Sequence, residues 1–449
     1  MNTKNSKRSA RVSSKKVTIS NQAKGLTSQA GLVPVVKFLR KNGMIGLIKE
    51  TVDHERGANA LYDSVDAVFL TVIATIGGAR ALSSVTTVWA DGVLRRLAGW
   101  VAIPDNSTLG RLFRTFRERQ VSQLETLNHR LRGKFWRKAL RSGVSTIAMR
   151  SCRVIDVDST EKTGYGKQQG IKKGYNPFRK GKASYHPILA FCAETKEILQ
   201  GWLRSGDAYT SNGIVEFTKQ LLAHLPKSQT ILFRGDSGFF NGNLFDLLDQ
   251  FGHGYLVKVK LKGLKELLFA QTWSAIPDRP GWEQCTFWHQ CTNWTRARRF
   301  VAVRQERQQE NKTGNGELFE VKEYDFFCYV TTEDLTCWQT HKSYGKRATC
   351  ETWIEESKNQ MALGHIKMDD FWGSSAIFQC SILAYNTVRW MALCSGDKQL
   401  CRWEPSTIRT FLVRVAGKLR TGSNQLGLNT PVNHLHPKQW DAWVTVGLD

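Results

Sequence analysis

The chain has 449 residues, 41% of them hydrophobic, with 64 Lys+Arg against 39 Asp+Glu and a net charge of +25. That length predicts roughly two to four structural units, and the apolar content excludes a disordered polycation. The charge calls for a polyanionic partner, because each neutralised phosphate releases counterions, whereas the longest mainly apolar run, Ala67 to Ala79, is short of a bilayer span and no signal peptide opens the chain.

Residues 1–30 form a polar basic arm, with Lys4, Lys7, Arg8, Arg11, Lys15, Lys16 and Lys24 and no acid. Such an arm lies along phosphate or is simply solvated. Residues 31–145 read as a helical, DNA-binding region. Val65, Val68, Phe69, Val72 and Ile76 recur at helical spacing and face a core. A second helix follows the cap-like Pro104-Asp105-Asn106-Ser107, with Leu109, Leu112, Phe113 and Phe116 on one side and Arg111, Arg114 and Arg117 on the other. That pattern suits a helix that reads DNA through Arg111 and Arg114, and it equally suits a surface helix of any basic protein.

From residue 146 the texture turns β-rich. Val154 to Asp158, Ser184 to Cys192, Glu197 to Arg204, Thr230 to Arg234 and Tyr255 to Lys260 read as strands, and 214–225 and 244–251 as helices. The order β-β-β-α-β-α-β is that of the ribonuclease H fold, an α/β architecture with helices on a mixed sheet. Residues 146–262 would be the first part of this catalytic core. Residues 263–340, with alternating runs at Arg299–Val303 and Phe326–Val330, read as a mostly β insertion. Helical periodicity returns from Arg347 to Leu393, so 341–395 would complete the core, and 396–449 would be a basic C-terminal region with an amphipathic stretch from Ile408 to Lys418. The ten cysteines include no CxxC, and reduced thiols explain them better than zinc.

Metal-dependent phosphodiester chemistry needs carboxylates that converge from different elements. Asp158 ends the first strand, and Asp156 lies two residues earlier on the same face; burying both charges in a sheet has no ordinary structural reason. Asp236 ends the fourth strand, in Arg234-Gly235-Asp236-Ser237-Gly238-Phe239, where it could also be a turn former. Adjacent first and fourth strands would bring Asp158 and Asp236 together. Tyr344, Arg347, Glu351 and Lys358 form Y-x2-R-x3-E-x6-K. On one helix, at about 100° per residue, they share a narrow face with the carboxylate between two cations. A solvated helix with i,i+4 ion pairs would explain most Glu/Lys mixtures, but the Arg, the Tyr and Trp353 on the opposite side make it the weaker reading here.

The Tyr344/Arg347/Glu351/Lys358 spacing resembles the signature of bacterial transposases of the insertion-sequence-four group, and most closely its thirteen-eighty family. IDVDST, GYNPF near Tyr175, YHPILAF, RGDSGFF, YLVKVKLKGL, GLVPVVKFL and FLVRVAGKL are similar to that family's pattern. The resemblance spans nearly the whole chain. It implies a DDE triad of Asp158, Asp236 and Glu351, with Asp156 as the alternative first carboxylate, and DNA contacts from Tyr344, Arg347 and Lys358. It further implies two Mg²⁺ ions per site with Mn²⁺ as a substitute, a homodimer on paired DNA ends, and a cytoplasmic, nucleoid-associated bacterial enzyme. Ser357 departs from the pattern, where a hydrophobe or basic residue is usual before the Lys. A nuclease without strand transfer, and a non-enzymatic DNA-binding descendant, are the readings to be separated from this one.

Overall fold

The computed structural model describes residues 17–448 apart from 58, 142–151, 165, 167, 175–180, 228, 308–322 and 366–367. The basic arm up to residue 16 and most of GYNPF lie outside the described residues. Among the described residues, seven helices precede the main sheet: α1 (Leu32–Lys41), α2 (Met44–Thr51), α3 (Ser64–Gly77), α4 (Leu82–Trp89), α5 (Gly92–Ala98), α6 (Asn106–Arg114) and α7 (Glu118–Arg141). Helix α3 starts at a capping box in which Asp63 accepts from the Val65 and Asp66 amides and the Asp66 carboxylate accepts from the Asp63 amide. It stops at Gly78, whose φ of 109° only glycine adopts readily. Every α3 residue except Asp66 is buried, so its apolar run is a core helix. Asp105 caps α6 through the Thr108 amide, Leu109, Leu112 and Phe113 are buried, and Arg111 and Arg114 stay exposed.

The main sheet begins with β1 (Cys152–Ser159), β2 (Ile188–Cys192), β3 (Ile198–Trp202), β4 (Thr230–Gly235) and β5 (Gly254–Lys258). Helix α8 (Ile214–Ala223) precedes β4, and α9 (Gly242–Gln250) follows it. Strands β6 (Ser274–Ala275), β7 (Trp282–His289), β8 (Arg298–Glu306) and β9 (Tyr324–Thr331) come from the segment read as an insertion. They continue the same sheet, whose order is β6-β7-β8-β9-β5-β4-β1-β2-β3. Strand β1 is antiparallel to β2 and parallel to β4, and β4 is parallel to β5. The strands that lead to Asp158 and Asp236 are therefore neighbours.

Two readings need correction. Ser184 to Cys192 is not one strand, because it breaks at His186-Pro187. Ala183–Tyr185 joins a small separate sheet, and only Ile188–Cys192 enters the large one. Proline has no N–H to give a central ladder, and the Pro187 carbonyl instead accepts from the Thr160 amide just past β1. The helix expected from Arg347 to Leu393 is likewise broken. It comprises α11 (Ala348–Glu355), a π-turn at Glu356–Gln360 and α12 (Phe371–Ser395), and a separate helix, α10 (Cys337–Gly345), precedes it.

Helix α12 is the central post, buried along nearly its whole length and packed on α3, α7 and β3. Its polar groups find partners. Asn386 accepts from the Ile198 amide at 2.8 Å and donates to the Ile198 carbonyl at 2.8 Å and to Asn128 at 2.9 Å. Gln379 donates to the Gly201 carbonyl at 2.7 Å. Asn386 thus satisfies both backbone groups of Ile198 on the outer edge of β3 and ties that strand to α7. The tail is not a free amphipathic surface. Arg409 is buried and donates to the Ile76, Thr75 and Gln360 carbonyls, so it plugs the C-terminal end of α3. Burial, with no carboxylate partner among the described residues, lowers its guanidinium to about 10.

Candidate active site

Strand β1 alternates as its sequence suggests. Ile155 and Val157 are fully buried on one face, and Asp156 and Asp158 point to the other. The two acids meet different surroundings. Asp156 lies opposite Arg234 in the β1–β4 register. Its two oxygens accept from Arg234 Nε at 2.7 Å and Nη2 at 2.8 Å, and the remaining Nη1 donates to the Ser343 carbonyl at 2.7 Å. Asp156 has no exposed surface, and burial pushes its carboxyl up against the pull of Arg234. This bidentate pair pins β1, β4 and the end of α10 to one another, and it commits both carboxylate oxygens.

Asp158 sits one pleat further along, at the mouth of the sheet. Its Oδ1 accepts from the Ser159 amide at 2.8 Å, and its Oδ2 lies 2.8 Å from Arg347 Nη2. Burial pushes the Asp158 carboxyl up to about 6; Arg347 opposes the shift, and Asp236 and Glu351 add to it. Asp236 follows Gly235, the last residue of β4, and caps the turn Ser237–Phe239 through the Gly238 amide at 2.9 Å. Glu351 stands exposed on α11, which packs on β1. Asp236 and Glu351 are thus both close enough to act on Asp158. Arg347 lies among them, and burial alone would push it down, but Asp158, Tyr344 and Asp236 keep it firmly charged.

The four residues of the Y-x2-R-x3-E-x6-K pattern do not lie on one uninterrupted helix, yet two of its cations still converge. Lys358, in the π-turn, donates to Thr160 Oγ1 at 2.9 Å and lies 3.6 Å from Glu161. The π-turn is fixed by Glu356, whose carboxylate is paired with Arg389 and accepts from the Tyr385 hydroxyl at 3.2 Å, both from α12. Arg347 and Lys358 therefore grip consecutive stretches of the chain as it leaves β1. Tyr344 is half-buried with its ring 4.7 Å from that of Tyr329, and burial pushes its hydroxyl up. The side chains of Arg111 and Arg114 belong to another neighbourhood. Arg111 donates to Thr108, and Arg114 lies 4.0 Å from Asp369, on the approach to α12.

Sequence reasoning missed Glu161 and His186. Glu161 is nearly buried and carries the charge that holds Lys358. His186 is buried, bonded to the Ala208 carbonyl at 2.6 Å, and its imidazole is pushed down by burial while Glu161 and Asp236 pull it back. Glu161 was legible as an acid three residues beyond Asp158. Nothing in the local pattern marks His186.

In donor chemistry, Asp158, Asp236 and Glu351 fit a hard divalent cation, which takes oxygen ligands. In spacing they do not yet form a ligand shell. Among the described residues no three His, Cys, Asp or Glu side chains are grouped closely enough to hold a metal ion. Arg347, already bonded to Asp158, is the group that would have to give way.

Comparison with known proteins bears on what such a site belongs to. The cryo-EM structure of the piggyBac transposase synaptic complex with hairpin DNA matches at 14% identity and a TM-score of 0.41, over 82% of this chain and 81% of that one. No curated protein sequence matches the chain. The family described as Transposase DDE domain group 1 matches residues 9–440, a span that takes in every element of the carboxylate cluster. The chain belongs to that family and is a transposase of the DDE type.

Proposed function

We propose that this transposase cuts DNA at the terminal inverted repeats of an insertion sequence and transfers the freed 3′ ends into target DNA, with Asp158, Asp236 and Glu351 as its reacting carboxylates. One observation carries the reading: Asp158 and Asp236 leave adjacent parallel strands on the same side, and Glu351 from α11 is near enough to act on Asp158. The strand order β5-β4-β1-β2-β3 favours a ribonuclease H-like core. The Y-x2-R-x3-E-x6-K spacing favours the insertion-sequence-four group and its thirteen-eighty family. Asp158 is preferred over Asp156 as the first carboxylate because Arg234 occupies both Asp156 oxygens.

Asp158, Asp236 and Glu351 would hold two Mg²⁺ ions, with Mn²⁺ as a substitute, and ions so bound activate an attacking oxygen and stabilise a leaving one. The protein's own side chains do the rest. Arg347 holds Asp158 before DNA arrives, and exchanging that carboxylate for a DNA phosphate would give the guanidinium a second anion in a geometry it can grip with two N–H groups. Lys358 fixes Thr160 and Glu161 behind the site and, with Tyr344, borders the path of the scissile strand. Hydrolysis would join a water oxygen to phosphorus and release a 3′-hydroxyl. That hydroxyl would then attack a target phosphodiester, forming one P–O bond as another breaks, so no ATP is needed. Arg111 and Arg114 on α6 would contribute to recognition of the repeats, and holding two ends together calls for a homodimer.

The test is strand transfer. Purified protein, Mg²⁺, a labelled pre-cut terminal-repeat duplex and a supercoiled target should give labelled target, and a dideoxy 3′ end should abolish the transfer. Nicking or degradation of both DNAs without any transfer would replace this reading with that of a nuclease.

A further inference from the structure

Away from the carboxylates, the C-terminal half of α7 carries Arg130, Lys134, Arg137, Lys138 and Arg141. At about 100° per residue these positions fall within an arc of about 100°, a single stripe along the helix. The stripe is concave. It borders two adjoining depressions of about 580 and 590 Å³, which share Lys134 and Arg137 and are closed on the far side by α2 and the Lys41–Gly43 turn. Among the described residues, every charged side chain lining the second depression is a cation. In the first, the single acid among them is Glu50, paired with Arg130 at 2.7 Å.

Ordinary structural reasons account for only part of this. Cations in the last helical turn answer the helix dipole, which explains Lys138 and Arg141, and Arg130 answers Glu50, which leaves Lys134 and Arg137 unexplained. Lys134 and Lys41 spend their ammonium groups on neutral carbonyls, of Asn42 at 3.2 Å and Leu448 at 3.4 Å. Arg137 and Arg141 are exposed, with no carboxylate partner among the described residues. Gly133 is the second observation. It lies mid-helix on the floor of the first depression, where glycine weakens a helix. It has no positive φ, and an added Cβ would meet only Arg137 Nη1, at an ordinary 3.7 Å. Neither backbone nor packing asks for glycine there. A backbone left bare beside cations makes room for something anionic to approach closely.

The groove is at the opposite end of the sheet from the carboxylates. Trp136 of α7 stacks under Arg153, near the start of β1, at 4.0 Å. Asp158 lies five residues further along the same strand, about 17 Å away at roughly 3.3 Å per residue. That separation spans about five base-pair steps of 3.4 Å each.

We infer that this groove is a second DNA-backbone site, which holds phosphates of duplex DNA remote from the phosphodiester being cut. The inference rests on DNA being the partner, as proposed above. The phosphates come either from a distal stretch of the same duplex or from a second duplex, and stoichiometry separates the two.

The experiment uses the full chain, without divalent metal, and one fixed sequence centred on the scissile position in a short and a long hairpin-capped duplex, which reach roughly 4 and 20 base pairs to either side at 3.4 Å each. The wild type should bind the long duplex more tightly than the short one if the same DNA reaches the groove. It should bind two short duplexes per chain if the groove takes a second. R137E/R141E should erase that gain or that second duplex, and flatten the log–log salt dependence by about two, at roughly 0.9 per phosphate contact. Gly133→Leu keeps every charge, favours the helix, and should erase the gain by filling the floor. If R137E/R141E, folded by circular dichroism, keeps the gain and the salt slope, or weakens both duplexes alike, the groove is not a site. If the wild type binds no duplex at all, the DNA reading itself falls, and this inference with it.

Discussion

The pair Asp156–Arg234 offers the sharpest way to tell a structural acid from a reacting one. Arg234→Met would leave Asp156, with no exposed surface, facing only the more distant attraction of Arg347. Removing one partner of a buried pair costs about 3–5 kcal/mol, and the residual field of Arg347 argues for the lower end. Asp156→Leu would strand Arg234, itself nearly buried, with the Ser343 carbonyl as its remaining partner, at a similar cost. Replacing both partners removes both charges, and apolar substitutes of similar size in such places are often neutral. The orphaned Ser343 carbonyl adds about 1 kcal/mol. The single losses therefore sum to at least about 6 kcal/mol, whereas the double variant should lose about 1. Urea denaturation followed by tryptophan fluorescence measures all four proteins, and DNA cleavage is assayed on the double variant. A double variant that is stable and cuts DNA means that Asp156 is scaffolding. One that is folded, stable and inert would make Asp156 the first reacting carboxylate and refute the choice of Asp158.

Other outcomes follow from the same geometry. Asp236→Asn and Glu351→Gln should abolish cleavage while leaving the fold intact by circular dichroism, since Glu351 is exposed and the turn at Asp236 can be capped by Asn. Glu125, buried beneath Gln200 and Gln379, is pushed up to about 7 by burial, so its neutral form is favoured in the fold. That stability is fully present below pH 4.5 and is lost as pH rises through 7; Glu125→Gln should remove up to about 3 kcal/mol of this pH dependence in denaturant titrations at pH 5 and 8. Arg409→Met should cost about 2–3 kcal/mol by stranding the carbonyls of Thr75, Ile76 and Gln360, read as a lower denaturation midpoint. Lys358→Met should slow strand transfer more than it weakens DNA affinity, measured in parallel by product formation and fluorescence anisotropy.

Much of the sheet was legible because its signals are local. Strand β1 alternates apolar and acidic residues, and the runs at Thr230 and Tyr255 are β-rich and bounded by helices with clear periodicity. The register that sets Asp156 against Arg234 was not legible, because pairing across 78 residues leaves no mark in either segment. The break at Pro187 was readable in principle, but the apolar run around it outweighed a single proline. The π-turn at Glu356 arises from Arg389 and Tyr385 far along the chain, so helical phase alone extrapolated straight through it. The role of Arg409 was hidden for a similar reason. An arginine in an amphipathic stretch looks solvated until the helix end that it satisfies is known.

The continuity of the sheet through β6–β9 bears on how this enzyme could be shortened. Strand β9 covers β5 through Leu256, Val257 and Lys258. Excising residues 263–340 would uncover that flank as an open row of N–H and C=O groups beside the buried Leu256 and Val257. Bare flanks of that kind pair with one another between molecules. A minimised chain would therefore tend to associate and precipitate before its chemistry could be judged, unless lysines or a proline were written into β5 to blunt it.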